Sequence, residues 1–315
     1  TICAGQNANL TINLTGTGPF NNIQVWNTTG AAPIQTFNAQ AGPTVTFTTG
    51  AAGTYFISEI NDANCPNTAN SPQVTVVVNP LPTATLSAAA SICANGTHNF
   101  NITFTGASDF DYFVQTPANP LPQGPFNSLT NTATLAGNPA FPGNYLVTSV
   151  TDNNGCVSNA ASNTSVLTVN PLPTAVLDAN AAICAGQTHP FDITFTGTAP
   201  YTYSVQTPTG AVNPPAFAGP GNTVVFNATA AGNFTVQTVT DGNNCSMAAA
   251  SPTVALTVNP LPTATFSANA TECDGTCHDF TITLTGTGPW TFNINTPNGP
   301  DTANPHTSAT NTYTY

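Results

Sequence analysis

Residues 79–93 read Asn-Pro-Leu-Pro-Thr-Ala-Thr-Leu-Ser-Ala-Ala-Ala-Ser-Ile-Cys. The tetrapeptide returns at Asn170–Pro173 and Asn259–Pro262, in steps of 91 and 89 residues. Each time Thr-Ala and an apolar alternation follow, as Thr83–Leu86, Thr174–Leu177 and Thr263–Phe266. Then comes a cysteine, at 93, 184 and 273, with a further copy at 3. A second cysteine falls at 65, 156 and 245. Four markers in one register define a repeat of about 90 residues.

Working outward, each repeat reads as short alternating strands. Asn99–Thr105 places Phe100, Ile102 and Phe104 on one face and polar residues on the other, the pattern of a half-buried strand. Gly106 ends it, as Gly16, Gly197 and Gly286 do in the other copies. Further strands are expected around Phe110–Thr116, Asn131–Leu135, Gly143–Val150 and Ser165–Val169, with a Pro-rich connection after Thr116. Six or seven strands separated by turn residues, with no 3.6-residue apolar period, predict an all-β chain of tandem immunoglobulin-like antiparallel β-sandwiches. The divisions are residues 1–79, 80–170, 171–259 and 260–315. Asn-Pro-Leu-Pro is the linker: its prolines fix φ and remove donors, so one sheet does not run into the next. A four-residue linker of this kind is stiff, which predicts a rod-like array. Residues 1–79 are expected to lack the strand ahead of the first cysteine, and 260–315 the last two strands. Two accounts are open: a window on a longer chain, or completion by strands from a neighbouring subunit.

The composition narrows the function. Among 315 residues there is no Lys and no Arg, against 12 Asp plus Glu, for a formal charge of −12. Charged residues make up 4%, where a soluble domain usually carries about 25%. Yet 40% are apolar, so a core can form and disorder is excluded. Phosphate contacts to nucleic acid and attraction to anionic lipid both need positive charge, and both are excluded. No apolar run reaches the length of a membrane span. Eight cysteines, most at repeated positions, read as a disulfide framework in an oxidising, extracellular compartment.

Ile92-Cys93-Ala94-Asn95-Gly96, Thr151-Asp152-Asn153-Asn154-Gly155-Cys156 and Val169-Asn170-Pro171-Leu172-Pro173 together carry a resemblance. The repeats resemble the PKD-like and SprB-like Ig-fold repeats of large Bacteroidetes surface proteins. That resemblance implies type IX secretion and a role as adhesin or surface filament. The Trp-x-Phe-Gly-Asp-Gly signature usual in PKD repeats is absent, and no type IX sorting domain is visible.

The cysteine pairing has two readings. Bonds within repeats would be Cys3–Cys65, Cys93–Cys156 and Cys184–Cys245, each closing a loop that stabilises by about 4 kcal/mol in the chain-entropy model. In a sandwich, however, the first cysteine would lie in the loop between the first two strands and the second in the loop between the last two. Those loops sit at opposite ends, which instead favours the staples Cys3–Cys156 and Cys93–Cys245 between successive repeats. Cys277, four residues after Cys273, breaks the pattern and is expected to pair locally or with a missing segment.

Other positions recur. Asp62, Asp152 and Asp241 close the Tyr/Phe strand; they read as turn residues, or as weak calcium ligands at a domain junction. His98, His189 and His278 follow the first cysteine by five residues, where repeat 1 has Ala8; one His per repeat builds no metal site and reads as structural. Phe20, Phe110, Tyr201 and Trp290 follow the strand-ending glycine and read as core, with glycan stacking the alternative. Asn-x-Ser/Thr occurs at Asn9, Asn13, Asn101, Asn163 and Asn227, and Asp301-Thr302-Ala303 makes Thr302 an O-glycosylation candidate. No catalytic set recurs, so the chain reads as a non-enzyme without cofactor other than a possible calcium. The expected function is a structural or adhesive extracellular fibre whose partners are neighbouring repeats, identical subunits, surface glycans or other cells. A passive stalk presenting some other domain is the alternative.

Overall fold

A computed structural model describes residues 1–159, 162–219, 221–273 and 275–315. Every regular element among them is a β-strand. The chain falls into two compact units, Thr1–Asn170 and Pro171–Tyr315.

Residues 80–170 show the plan most fully. One sheet carries Thr83–Leu86, His98–Thr105 and Thr132–Gly137, in that order. The other runs Ala90–Cys93, Ser165–Asn170, Gly143–Thr151, Phe110–Thr116 and Asn119–Ser128. Alternation along His98–Thr105 buries Phe100, Ile102 and Phe104 completely or nearly so and leaves Asn99, Asn101 and Thr103 in water. The buried set packs against Tyr112, Val114, Tyr145, Val147 and Leu167 of the facing sheet. Two sheets over one core with this strand order make an immunoglobulin-like sandwich.

Two expectations need correcting. The Pro-rich connection after Thr116 is itself a strand, Asn119–Ser128, paired with Phe110–Thr116. Pro120, Pro122 and Pro125 are tolerated because this strand is the outer edge of its sheet, where a missing N–H leaves no ladder bond unmade. The first cysteine, in turn, ends a strand and does not lie in a loop. The chain crosses between sheets after Leu86, and Ala90–Cys93 then runs parallel to the last strand, with Cys93 opposite Asn170 of the linker.

Gly143-Asn144-Tyr145 opens the central strand with a tyrosine corner. Tyr145 Oη donates to Phe141 O at 3.0 Å and accepts from Asn138 N at 2.9 Å. Tyr55 repeats this onto Ala51 O at 2.8 Å, whereas Phe234 keeps only the ring.

Residues 171–259 repeat both sheets, with Phe191, Ile193, Phe195, Tyr201, Val236 and Leu256 in the core. Residues 1–79 have the same plan minus its first strand. Among the described residues Ala8–Asn13 pairs only with Thr44–Thr49. Residues 260–315 form a three-stranded sheet of Ala264–Phe266, Thr281–Leu284 and Thr312–Thr314 and two strand pairs, Trp290–Phe292 with His306–Ser308 and Asn295–Thr296 with Gly299–Pro300, around a small core of Ile282, Leu284 and Ile294.

Candidate functional site: the cysteine loops

The first cysteine sits where a sandwich hands over to its linker. Ile2–Cys3 pairs in parallel with Val78–Asn79, and Ala4 N donates to Asn79 O at 2.8 Å. A tight turn follows: Gln6 N donates to Cys3 O at 2.9 Å, and Gln6 Oε1 accepts from Cys3 N at 3.0 Å. Gly5, at φ +86°, occupies the left-handed position that this turn requires. Cys184, Gly186 and Gln187 reproduce the same bonds in the third repeat, where Ala185 N donates to Asn259 O at 2.8 Å. The side chain of Gln6 or Gln187 is the part that sequence reading missed. Its signal was Ile-Cys-Ala-Gly-Gln, present at 2–6 and again at 183–187.

The second cysteine is held by the recurrent Asp. Asp152 Oδ1 accepts from the backbone N–H of Asn154 at 3.1 Å and of Cys156 at 3.0 Å, while Oδ2 accepts from Ala107 N at 3.2 Å. Asp152 N in turn donates to Cys156 O at 3.1 Å. Asp241 makes the matching set with Asn243, Cys245 and Thr198. Asp62 does so with Asn64, Cys65 and Thr17, in a loop one residue shorter. Each carboxylate therefore closes its turn and also ties it to the residue after the strand-ending glycine. At Asp62 these donors, Cys65 N–H foremost and then Thr17 and Asn64, hold the carboxyl below its usual range against the opposing effect of burial. Both oxygens of each Asp are engaged by N–H donors, which supports the turn reading of these residues over the calcium one. Among the described residues no group of three or more His, Cys, Asp or Glu stands where it could hold a metal.

The two kinds of cysteine meet. Cys3 and Cys156 are joined by a disulfide, with Cα atoms 5.5 Å apart and 153 residues between them in sequence. Cys93 and Cys245 each take part in a disulfide as well. Cys65, Cys184, Cys273 and Cys277 are exposed free thiols. The within-repeat pairing is thereby corrected. The first cysteine lies at the linker end of its sandwich, and the second lies beside the strand-ending glycine of the next one, so the bond spans the junction. Cys273 and Cys277 do not pair locally.

His98, His189 and His278 each set a ring edge on the phenylalanine two residues on, with centroids 4.7, 4.6 and 5.1 Å apart. Phe20, Phe110 and Tyr201 are buried, and Phe110 and Tyr201 stack on Phe104 and Phe195 at 4.9 and 4.8 Å. Trp290 is half-buried and donates from Nε1 to Thr285 O at 2.9 Å. The Asn163 amide clasps the backbone of Leu86, accepting from its N–H at 2.8 Å and donating to its carbonyl at 3.1 Å. A glycan on that nitrogen would cost the second bond. Asn9, Asn13, Asn101, Asn227 and Thr302 are exposed.

No protein-family model matches the sequence, and no curated protein sequence matches it significantly. Solved structures with a similar course of chain are low in identity. A fragment from the I-band of titin aligns with 82% of this chain and 94% of its own, at 13% identity and a TM-score of 0.48. A structure described for host cell surface retention of a 1.5-MDa bacterial ice-binding adhesin covers 81% and 92%, at 14% and 0.37. Fibronectin(III)-like modules of CbhA from Clostridium thermocellum cover 56% and 95%, at 13% and 0.29.

Proposed function

We propose that the chain is a load-bearing segment of an extracellular structural or adhesive fibre, an array of immunoglobulin-like repeats locked to one another by disulfides. The observation that carries this is the Cys3–Cys156 bond, which ties one sandwich to the next across a proline linker. Such a bond does little for the core of either sandwich alone. It removes the freedom of one repeat to pull away from its neighbour, which is useful where the chain is under tension. Disulfides point to an oxidising compartment. The surface supports the same reading, because with no Lys or Arg it offers no cleavage site to proteases that cut after those residues. Among the described residues no helix is long and apolar enough to cross a membrane.

Single-molecule stretching between the chain ends tests the reading. In the oxidised chain, the residues between Cys3 and Cys156 are shielded from the applied force. Reductant should release at least 153 residues, an added contour of at least about 500 Å at ~3.3–3.6 Å per extended residue. Equal total extension with and without reductant would refute the load-bearing role.

A further inference from the structure

In the first repeat, Asn21–Asn27 pairs antiparallel with Gly53–Asn61, and the outer face of that sheet carries side chains that neither the core nor the cysteine loops use. Val25 and Tyr55 point into the sandwich, 2% and 3% exposed, so their neighbours Trp26 and Phe56 point outward. Trp26 stands directly opposite Phe56 across the two strands. Further along, past a β-bulge that skips Ser58, Gln24 stands opposite Glu59. All four side chains are half-buried. A chain of hydrogen bonds braces them. Trp26 Nε1 donates to Gln24 Oε1 at 3.2 Å, and Gln24 Nε2 donates to Glu59 Oε2 at 3.1 Å and to Asn22 Oδ1 at 3.0 Å. The indole is thereby held in one orientation, and among the described residues Glu59 Oε1 has no donor.

The same face is equally open in residues 80–170, where both sheets of the sandwich are fully formed. There the residue after Tyr145 is Leu146, opposite Gln115, and Phe113 stands opposite Ser149; all four are again half-buried. In residues 171–259 the residue after Phe234 is Thr235, opposite Gln206, and the hydroxyls of Ser204 and Thr238 bond each other at 2.7 Å. Sandwiches of the same plan thus form without an aromatic pair at this place. The combination of two aromatic rings with a braced amide and carboxylate belongs to the first repeat.

We infer that this face is a binding platform for a neutral polysaccharide. A sugar ring has an apolar face of C–H groups, which stacks on an aromatic ring, and a rim of hydroxyls that both donate and accept. Trp26 and Phe56 supply the stacking surface, and Gln24, Asn22 and Glu59 supply acceptors beside it. Charge selects the class: with no Lys or Arg and a formal charge of −12, the chain offers an acidic polysaccharide no cation and repels it. Area argues against a protein partner, a second copy included. An aromatic side chain buries about 150–250 Å² in full, so two half-buried rings have about 150–250 Å² left between them. A stable protein interface takes about 800 Å² from each partner. A platform of two rings suits one or two sugar units of a longer chain. The inference deepens the adhesive side of the fibre reading and fails separately from it, because stretching reads the junction between repeats and sugar binding reads one sheet.

The test uses the oxidised 315-residue chain carrying Trp290→Phe, which leaves Trp26 as its single tryptophan. Trp26 emission is followed during titration with cellohexaose, chitohexaose, mannohexaose and polygalacturonate. The expected result is a saturable change with at least one of the three neutral oligosaccharides and none with polygalacturonate. Calorimetric titration with the responding oligosaccharide then compares variants. Trp26→Gln installs the residue of the second and third repeats and Phe56→Thr that of the third, so both substitutions suit the fold. Each should raise the dissociation constant about tenfold or more, because a central aromatic anchor carries most of such a contact. No response to any of the three neutral oligosaccharides would overturn the proposal. So would a response to polygalacturonate alone, or neutral-sugar binding that Trp26→Gln leaves unchanged.

Discussion

Replacing Asp152 by Asn tests whether the recurrent Asp holds the cysteine loop. The side chain keeps its size, and Asp152 is 5% exposed, so water offers little relief. Its carboxylate now accepts three backbone N–H groups, from Ala107, Asn154 and Cys156. An amide has one acceptor oxygen and one donor nitrogen. With the oxygen toward Asn154 and Cys156, the NH2 faces Ala107 N–H; flipped, it faces two N–H groups at once. One or two charge-assisted bonds are lost and the others become neutral ones. At roughly 1.5–3 kcal/mol for each bond to a charged group, the loss sums to about 2–4 kcal/mol. Single domains are stable by only about 5–15 kcal/mol, so this is a large fraction. The assay is urea-dependent hydrogen exchange read by mass spectrometry on peptides covering 98–116 and 143–156. Asp152→Asn should lower the urea midpoint of those peptides and leave peptides from 189–207 unchanged. Asp62→Asn should have the smaller effect in its own repeat, because Asp62 is half-exposed. An Asp152→Asn chain within about 0.5 kcal/mol of the parent would refute the claim that these three bonds organise the loop.

Three further outcomes are expected. Asp62 is held below its usual carboxylate range, so its contribution to repeat 1 is complete above the unfolded value near 4 and is lost as pH falls through the lower native value; thermal melts from pH 7 to 2 should show an acid loss that Asp62→Asn lacks, and identical acid profiles would count against it. Tyr145→Phe removes the bond to Phe141 O and leaves Asn138 N without its acceptor, costing about 1–2 kcal/mol by chemical denaturation, with the fold intact because Phe234 already fills that place in the third repeat. Thr302 is exposed beside an Asp, so native material should carry added glycan mass on the peptide spanning 299–305, and a bare peptide mass would remove that candidate.

The repeat and its sandwich were legible because period-2 alternation, strand-ending glycines and proline linkers are local signals written three or four times over. Asn119–Ser128 was hidden because its prolines mark a loop in most settings; only its position at a sheet edge, a tertiary fact, makes them admissible. The cysteine pairing stayed open for a similar reason. Whether Cys93 ends a strand or lies in a loop depends on the chain crossing between sheets after Leu86, and neither Ser87 nor the three alanines after it announces that crossing. Asp152 was expected in a turn from its neighbours, whereas its third donor, Ala107 N–H, is 45 residues away and carries no side-chain signature.

The central claim is that disulfides join successive repeats. It is tested most directly by mapping bonds in non-reduced protein, digested without Lys/Arg-specific enzymes and read by mass spectrometry. The account predicts a peptide linking Cys3 to Cys156 and no Cys3–Cys65 species. Recovery of Cys3–Cys65 and Cys93–Cys156 peptides would place the bonds inside each sandwich and contradict it.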